Sequence, residues 1–128
     1  MARVKQLTIS CDNCPGTLAR LARILGNAGV NILAFSASSA GAMGYIQLIV
    51  DNVSRAKQAL RRKKIQCYEE MVLHVTLPNV PGALARYARK LAAQDVNIGA
   101  GYQTTVKGAD QASVVLAVSH PSLADRIR

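Results

Sequence analysis

Laid without a gap on Asn79–Ala100, the stretch Asn13–Ala34 is identical at 13 of 22 positions, 66 residues apart. The shared frame opens as Asn13-Cys14-Pro15-Gly16-Thr17-Leu18-Ala19-Arg20 and returns as Asn79-Val80-Pro81-Gly82-Ala83-Leu84-Ala85-Arg86. It continues through Ala22/Ala88, Arg23/Arg89, Leu25/Leu91, Val30/Val96, Asn31/Asn97 and Ile32/Ile98. A repeat of this length is one supersecondary unit used twice. In a chain of 128 residues each copy has too little interior to be comfortable alone. The copies are therefore expected to share a sheet or a face.

Periodicity assigns the elements. Leu7, Ile9 and Cys11 alternate with Gln6, Thr8 and Ser10, a half-buried strand. Pro15 suits the first turn of a helix, and Leu18, Leu21, Ala22 and Leu25 form its apolar stripe. Gly29 reads as a left-handed stop. A second strand runs from Val30 to Ser38, with Val30, Ile32, Ala34 and Ser36 on one face and Leu33 and Phe35 on the other. Residues 38–42 form a small-residue loop and residues 44–50 a third strand. Ser54 is expected to cap a helix from Arg55 to about Lys63, with Ala56, Ala59 and Leu60 facing inward. A short fourth strand spans 65–68.

The second copy repeats the order. Strands are expected at 72–77, 96–105 and 111–119, with a helix carrying Leu84, Tyr87, Ala88 and Leu91. A last helix opens at Pro121 and runs to Arg128, so the fourth strand has no counterpart. Its loss would leave an unpaired edge, to be covered by the other copy, a second chain or further residues. The complete unit is strand–helix–strand–strand–helix–strand, an α+β ferredoxin-like arrangement with helices on one face of an antiparallel sheet.

Asn-x-Pro-Gly between the first strand and first helix, then Leu-Ala-Arg-x-Ala-Arg-x-Leu, then Val-Asn-Ile opening the second strand, resembles the ACT domain. The pattern occurs twice, at Asn13–Ile32 and Asn79–Ile98, so the chain is similar to a small stand-alone tandem ACT protein. The resemblance implies one domain at residues 1–68 and a C-terminally truncated one at 69–128, side by side in one extended sheet. It also implies a regulatory, non-catalytic protein that holds an amino acid where two domains meet, at the turns. The positions carried over are Asp12, Asn13, Cys14, Pro15, Gly16 and Thr17 with Asn31 and Ile32, and Asn79, Val80, Pro81, Gly82 and Ala83 with Asn97 and Ile98. A homodimer, or an enzyme or regulator as partner, fits the same resemblance. The alternative reading is a dimerising or docking module without its own ligand.

Elementary chemistry supports such a site. A helix start offers backbone N–H groups and a positive dipole end to a carboxylate. Gly16 and Gly82 let a ligand approach the backbone, and Asn13 and Asn79 both donate and accept. Turn chemistry alone also explains a Pro-Gly and an Asn at a helix start.

Other features point elsewhere less well. Cys11-x-x-Cys14 has metal-ligand spacing, but zinc requires about two further ligands and His74 and His120 are isolated. No cofactor or metal is expected. Three cysteines and a start without an apolar leader fit reduced thiols in the cytoplasm. No window approaches the length of a membrane span. Residues 1–66 carry ten Lys/Arg against Asp12 and Asp51, a surplus of eight, and Arg61-Arg62-Lys63-Lys64 is the densest run. That asymmetry admits an anionic partner. RNA binding through the sheet is disfavoured because the third strands offer only Tyr45 for stacking. No nucleophile–base pair, carboxylate cleft or phosphate-binding glycine loop is present, so an enzyme is not expected.

Overall fold

The structure, a computed structural model, describes residues 2–127. Met1 and Arg128, the ends of the two expected domains, lie outside the described residues. The described residues form two units, Lys5–Glu70 and residues 71–127 with 2–4. Two strands contribute to both: β1 (Ala2–Asp12) and β4 (Cys67–Pro78).

The first unit adds to these α1 (Thr17–Asn27), β2 (Ile32–Ala40), β3 (Met43–Val50) and α2 (Val53–Arg62). Its strand order is β2-β3-β1-β4, with β3 antiparallel to β1 and to β2. Leu7 and Ile9 of β1 and Ile46, Leu48 and Val50 of β3 meet Leu21, Leu25, Ala56 and Leu60 of the helices in one core. Helices thus cover one face of the sheet, as the alternation of β1 requires. The second unit adds α3 (Ala83–Ala93), β5 (Ile98–Thr104), β6 (Gln111–Val118) and α4 (Pro121–Ala124). Leu73, Val75 and Leu77 pack there with Tyr87, Leu91, Val114, Leu116 and Ala124.

Several expectations are corrected. Strands 65–68 and 72–77 are one strand, β4. No glycine or proline interrupts Cys67–Leu77, and Glu69 is held by Lys57 at 2.6 Å and Lys5 at 3.8 Å. Ala2–Val4 occupies the place beside β4 that the missing last strand would fill in the second unit. Arg3 anchors it, its Nε 3.4 Å from Asp125 Oδ2 and its Nη1 donating to Ser122 Oγ at 3.1 Å. The α2 cap is Asn52, whose Oδ1 accepts from Arg55 N at 3.0 Å, not Ser54. The last helix ends at Ala124. The loop at 38–42 shrinks to Gly41-Ala42 between paired Ala40 and Met43. Gln6, expected outward, is buried, and its amide donates to Glu70 Oε1 at 3.4 Å. Leu18 and Leu84, placed on the apolar stripes, are exposed.

The faces of β2 are corrected too. Ile32 pairs with Val50, but Ala34 pairs with Ile49, so Leu33 is an extra, bulged residue. A bulge shifts the alternation by one. Phe35 therefore faces the side of Leu48, and Ala34 and Ser36 the other side. The same irregularity recurs 66 residues later, where Ile98 pairs with Val118 and Ala100 with Ala117. The repeat reproduces even this departure from regular pairing.

Candidate functional site

Each Asn-x-Pro-Gly forms a tight turn ahead of the helix, not the helix's own first turn. Thr17 N donates to Cys14 O at 3.4 Å, and Ala83 N to Val80 O at 3.3 Å. Gly16 has φ 90° and ψ −8°, and Gly82 φ 85° and ψ −6°. Proline at the second position and a left-handed glycine at the third define a type II turn. The glycine is thus required by backbone conformation. In both copies it is also the N-cap, and no side chain caps either helix. The first amide bonded inside α1 is that of Arg20, to Gly16 O at 2.9 Å. Thr17 N is taken by the turn, which leaves the amides of Leu18 and Ala19 at the positive end of the dipole.

The two asparagines are clasps. Asn13 N donates to Ala42 O at 2.9 Å and Asn13 Nδ2 to Gly41 O at 3.1 Å. Asn79 repeats this on Asp110 O at 2.8 Å and Ala109 O at 2.9 Å. Each pins its turn to the neighbouring hairpin, using one of the two N–H donors of its side-chain amide. Thr17 Oγ1 donates back to Asp12 O at 3.1 Å and lies 3.2 Å from Cys14 Sγ.

Asn31 and Asn97 lie elsewhere. Asn31 N donates to Asp51 Oδ1 and Asp51 N to Asn31 O, at 2.9 and 3.1 Å. Asn97 exchanges the same pair of bonds with Ser119, both at 2.9 Å. These lock the start of β2 or β5 to the end of the adjacent strand. The nine-residue strand β2 runs from Ile32 to the hairpin that Asn13 holds, roughly 30 Å at strand rise. Within one unit the turn and Asn31–Ile32 are therefore at opposite ends. Ile32 and Ile98 pack against their respective cores, and Ala83 is itself buried, while Val80, Pro81 and Gly82 are exposed.

What the first unit does assemble is an open cleft of about 850 Å³ at the turn. Asp12, Cys14, Pro15, Gly16 and Thr17 of the expected set line it. Joining them are residues that sequence reading missed: Arg20, Arg23, Met43, Lys64, Gln66 and Tyr68. Arg20 and Arg23 carried a signal, since three-residue spacing places both on one side of a helix. Lys64 was visible as the end of the basic run 61–64; Gln66 and Tyr68 carried no signal, because only the return of the chain into β4 brings them there. Asp12 is the sole carboxylate of the lining, facing three cations. Cys11 lies on the wall, its Sγ donating to Gly44 O at 3.5 Å. Burial first, then the charges of Asp12 and Cys14, push the Cys11 thiol up, favouring its neutral form. Among the described residues no group of three or more His, Cys, Asp or Glu side chains gathers into a metal-sized cluster. Nor, among them, is any helix long and apolar enough to cross a membrane.

Comparison with known proteins adds five findings. The sequence model of the ACT domain matches residues 5–66. A protein from Bacteroides thetaiotaomicron of known crystal structure superposes with a TM-score of 0.90 at 28% identity, over 96% of this chain and 84% of that one. The ligand-free regulatory subunit of aspartate kinase from Thermus thermophilus superposes at 0.68, with 16% identity over 98% and 94% of the two chains. The aspartokinase alpha and beta subunits superpose at 0.63, with 15% identity over 98% and 93%; these last two likenesses concern the fold. No curated protein matches the chain.

Proposed function

From the premise that residues 5–66 are an ACT domain, we propose that the protein is a non-catalytic regulator that binds an amino acid. The effector sits in the cleft at the Asp12–Thr17 turn, and the second copy of the turn marks a second ACT domain. One observation carries the reading: the cleft combines a single carboxylate, Asp12, with Arg20, Arg23 and Lys64 beside the uncapped start of α1. A zwitterion needs both signs, with its carboxylate at the cations and helix start and its ammonium at Asp12. The volume lies within the range of small-molecule sites. The regulatory-subunit neighbours support a role exercised on a partner enzyme.

Calorimetric titration of refolded, ligand-stripped protein with each of the twenty amino acids tests this. At least one should bind and raise the melting temperature by mass action. Arg20→Gln and Asp12→Asn should each weaken it. If none of the twenty binds, the reading fails.

A second reading has its own observation. Leu33 and Phe35 are exposed on β2, which ends the strand order of the first unit. An open edge with apolar side chains favours a dimerising or docking module. Sedimentation velocity at tens of micromolar decides it: a strict monomer removes self-association.

A further inference from the structure

We propose that the groove between α1 and α2 of the first unit is a separate site for a small molecule bearing two or more linked phosphates, the nucleoside di- and triphosphate class. Arg20 and Arg23 from α1 and Arg62 and Lys63 from α2 line an open cavity of about 390 Å³, and no carboxylate lines it. Among the described residues none of these four makes an ion pair.

Helix electrostatics does not account for the cluster. Cations at the end of α2 complement its dipole, which explains Arg61 and Arg62. Arg20 and Arg23 lie in the first two turns of α1, whose first turn holds no acid to balance them. A cation at Arg20, at the edge of the first turn, opposes the dipole, and both arginines add like charge to those of α2. An oxyanion between the helices relieves both. Arginine's planar fork matches phosphate oxygens in pairs, and three of the four cations are arginines. Of the remaining wall, Ile24, Ala28 and Ala59 are apolar and suit the flat body of a nucleoside, while Asn27 adds one polar side chain. The cavity lies in the size range of small-ligand sites. The second unit supplies an internal control. Arg86 and Arg89 repeat Arg20 and Arg23, but Ile24 becomes Lys90 and the helix there, α4, has four residues and no basic pair.

The site is tested by calorimetry on the full chain with inorganic tripolyphosphate and with ATP as probes. Arg62→Gln combined with Lys63→Gln should weaken both probes by roughly tenfold or more, as expected for lost charge-assisted bonds. The pair Arg86→Gln and Arg89→Gln should leave binding within about twofold, these arginines lying outside the groove. Arg62 and Lys63 do not line the cleft at the turn, so an amino acid bound there should be unaffected by their loss. Failure of one site is thus distinguishable from failure of the other. All the substituted side chains are exposed, and unchanged melting curves in the absence of probe confirm folding. The proposal is overturned if neither probe binds below about 1 mM, or if Arg62→Gln/Lys63→Gln binds like the parent. A duplex of about twenty base pairs bound tightly, with a steep salt dependence and no competition from tripolyphosphate, would overturn it in favour of nucleic acid.

Discussion

Replacing Gly16 with alanine separates two roles for the glycine of the turn: backbone geometry and ligand access. Gly16 has φ 90°, and a Cβ built there meets nothing within 4 Å. No clash contributes, so the whole cost is the left-handed conformation, about 1–2 kcal/mol for an L-residue. For a chain of this length that corresponds to a fall of roughly 3–10 °C in melting temperature. Asparagine tolerates the left-handed region better than alanine. Gly16→Asn should therefore recover about half the loss, an estimate from that preference. Urea titration followed by circular dichroism reads both variants, and an unchanged slope confirms that the native state, not the unfolded one, is affected. Gly16 also lines the cleft proposed for the effector, so the same variant reads ligand access separately: amino-acid binding within about threefold of the parent would mean that the added methyl does not enter the ligand's place. The reasoning is refuted if Gly16→Ala is as stable as the parent, or if Gly16→Asn is the more damaging change. Loss of binding with full stability would restore the glycine as a contact residue. The sequence expectation that glycine admits the ligand predicts that last outcome.

Three other predictions rest on separate observations. Asn13→Ala and Asn79→Ala each remove one side-chain bond to a hairpin carbonyl, and each should lower stability by about 0.5–1 kcal/mol in urea titration, the sites being exposed. Gly101→Ala places a Cβ 2.6 Å from Leu116 Cδ2 and 3.3 Å from Val115 O; with Leu116 buried, overpacking should cost about 1–3 kcal/mol, whereas Gly108→Ser, with open space around it, should cost only its left-handed strain. The hydrogen bond from Lys57, assisted by the charge of Lys5, holds the Glu69 carboxyl below its usual range. A depressed pKa contributes stability above the ordinary glutamate range and loses it as pH falls through the folded value, so the melting-temperature gap between the parent and Glu69→Gln should close on acidification.

Local pattern made much of the fold legible. The amphipathic cores of α1, α2 and α3, the left-handed stop at Gly29 (φ 75°) and the order of elements in the first unit follow from periodicity and turn chemistry. What escaped was non-local. Continuity of β4 through Glu69 and Glu70 depends on Lys5 and Lys57, which sit at distant sequence positions. Nothing in Ala2-Arg3-Val4 marks it as the strand that serves the second unit; Asp125 and Ser122 decide that. Leu33 reads as a regular strand residue because a bulge has no signature beyond its partner's register. The cleft was half legible for the same reason: the turn is local, and Lys64, Gln66 and Tyr68 arrive from the other end of the unit.

The repeat itself turns out to report architecture more than chemistry. Seven of its thirteen identical pairs have a structural use: asparagine clasps at 13/79, a type II turn at Pro15-Gly16 and Pro81-Gly82, buried Leu25/Leu91 and Val30/Val96, backbone locks at Asn31/Asn97, and Ile32/Ile98 packed against the cores. A frame of this kind would be retained by any protein built from the unit, whatever it binds. Arg20/Arg86 and Arg23/Arg89 are different. They are exposed, Arg20 and Arg86 stand near the end of the helix where a cation is disfavoured, and in the first unit Arg20 and Arg23 line both the cleft at the turn and the groove against α2. Two anions held in these cavities would draw on the same two guanidinium groups. Occupancy of one should therefore weaken the other, by the same factor in both directions. Titrating ATP with and without a saturating amino acid measures that factor. A value of one would mean that the cavities, though they share Arg20 and Arg23, act independently.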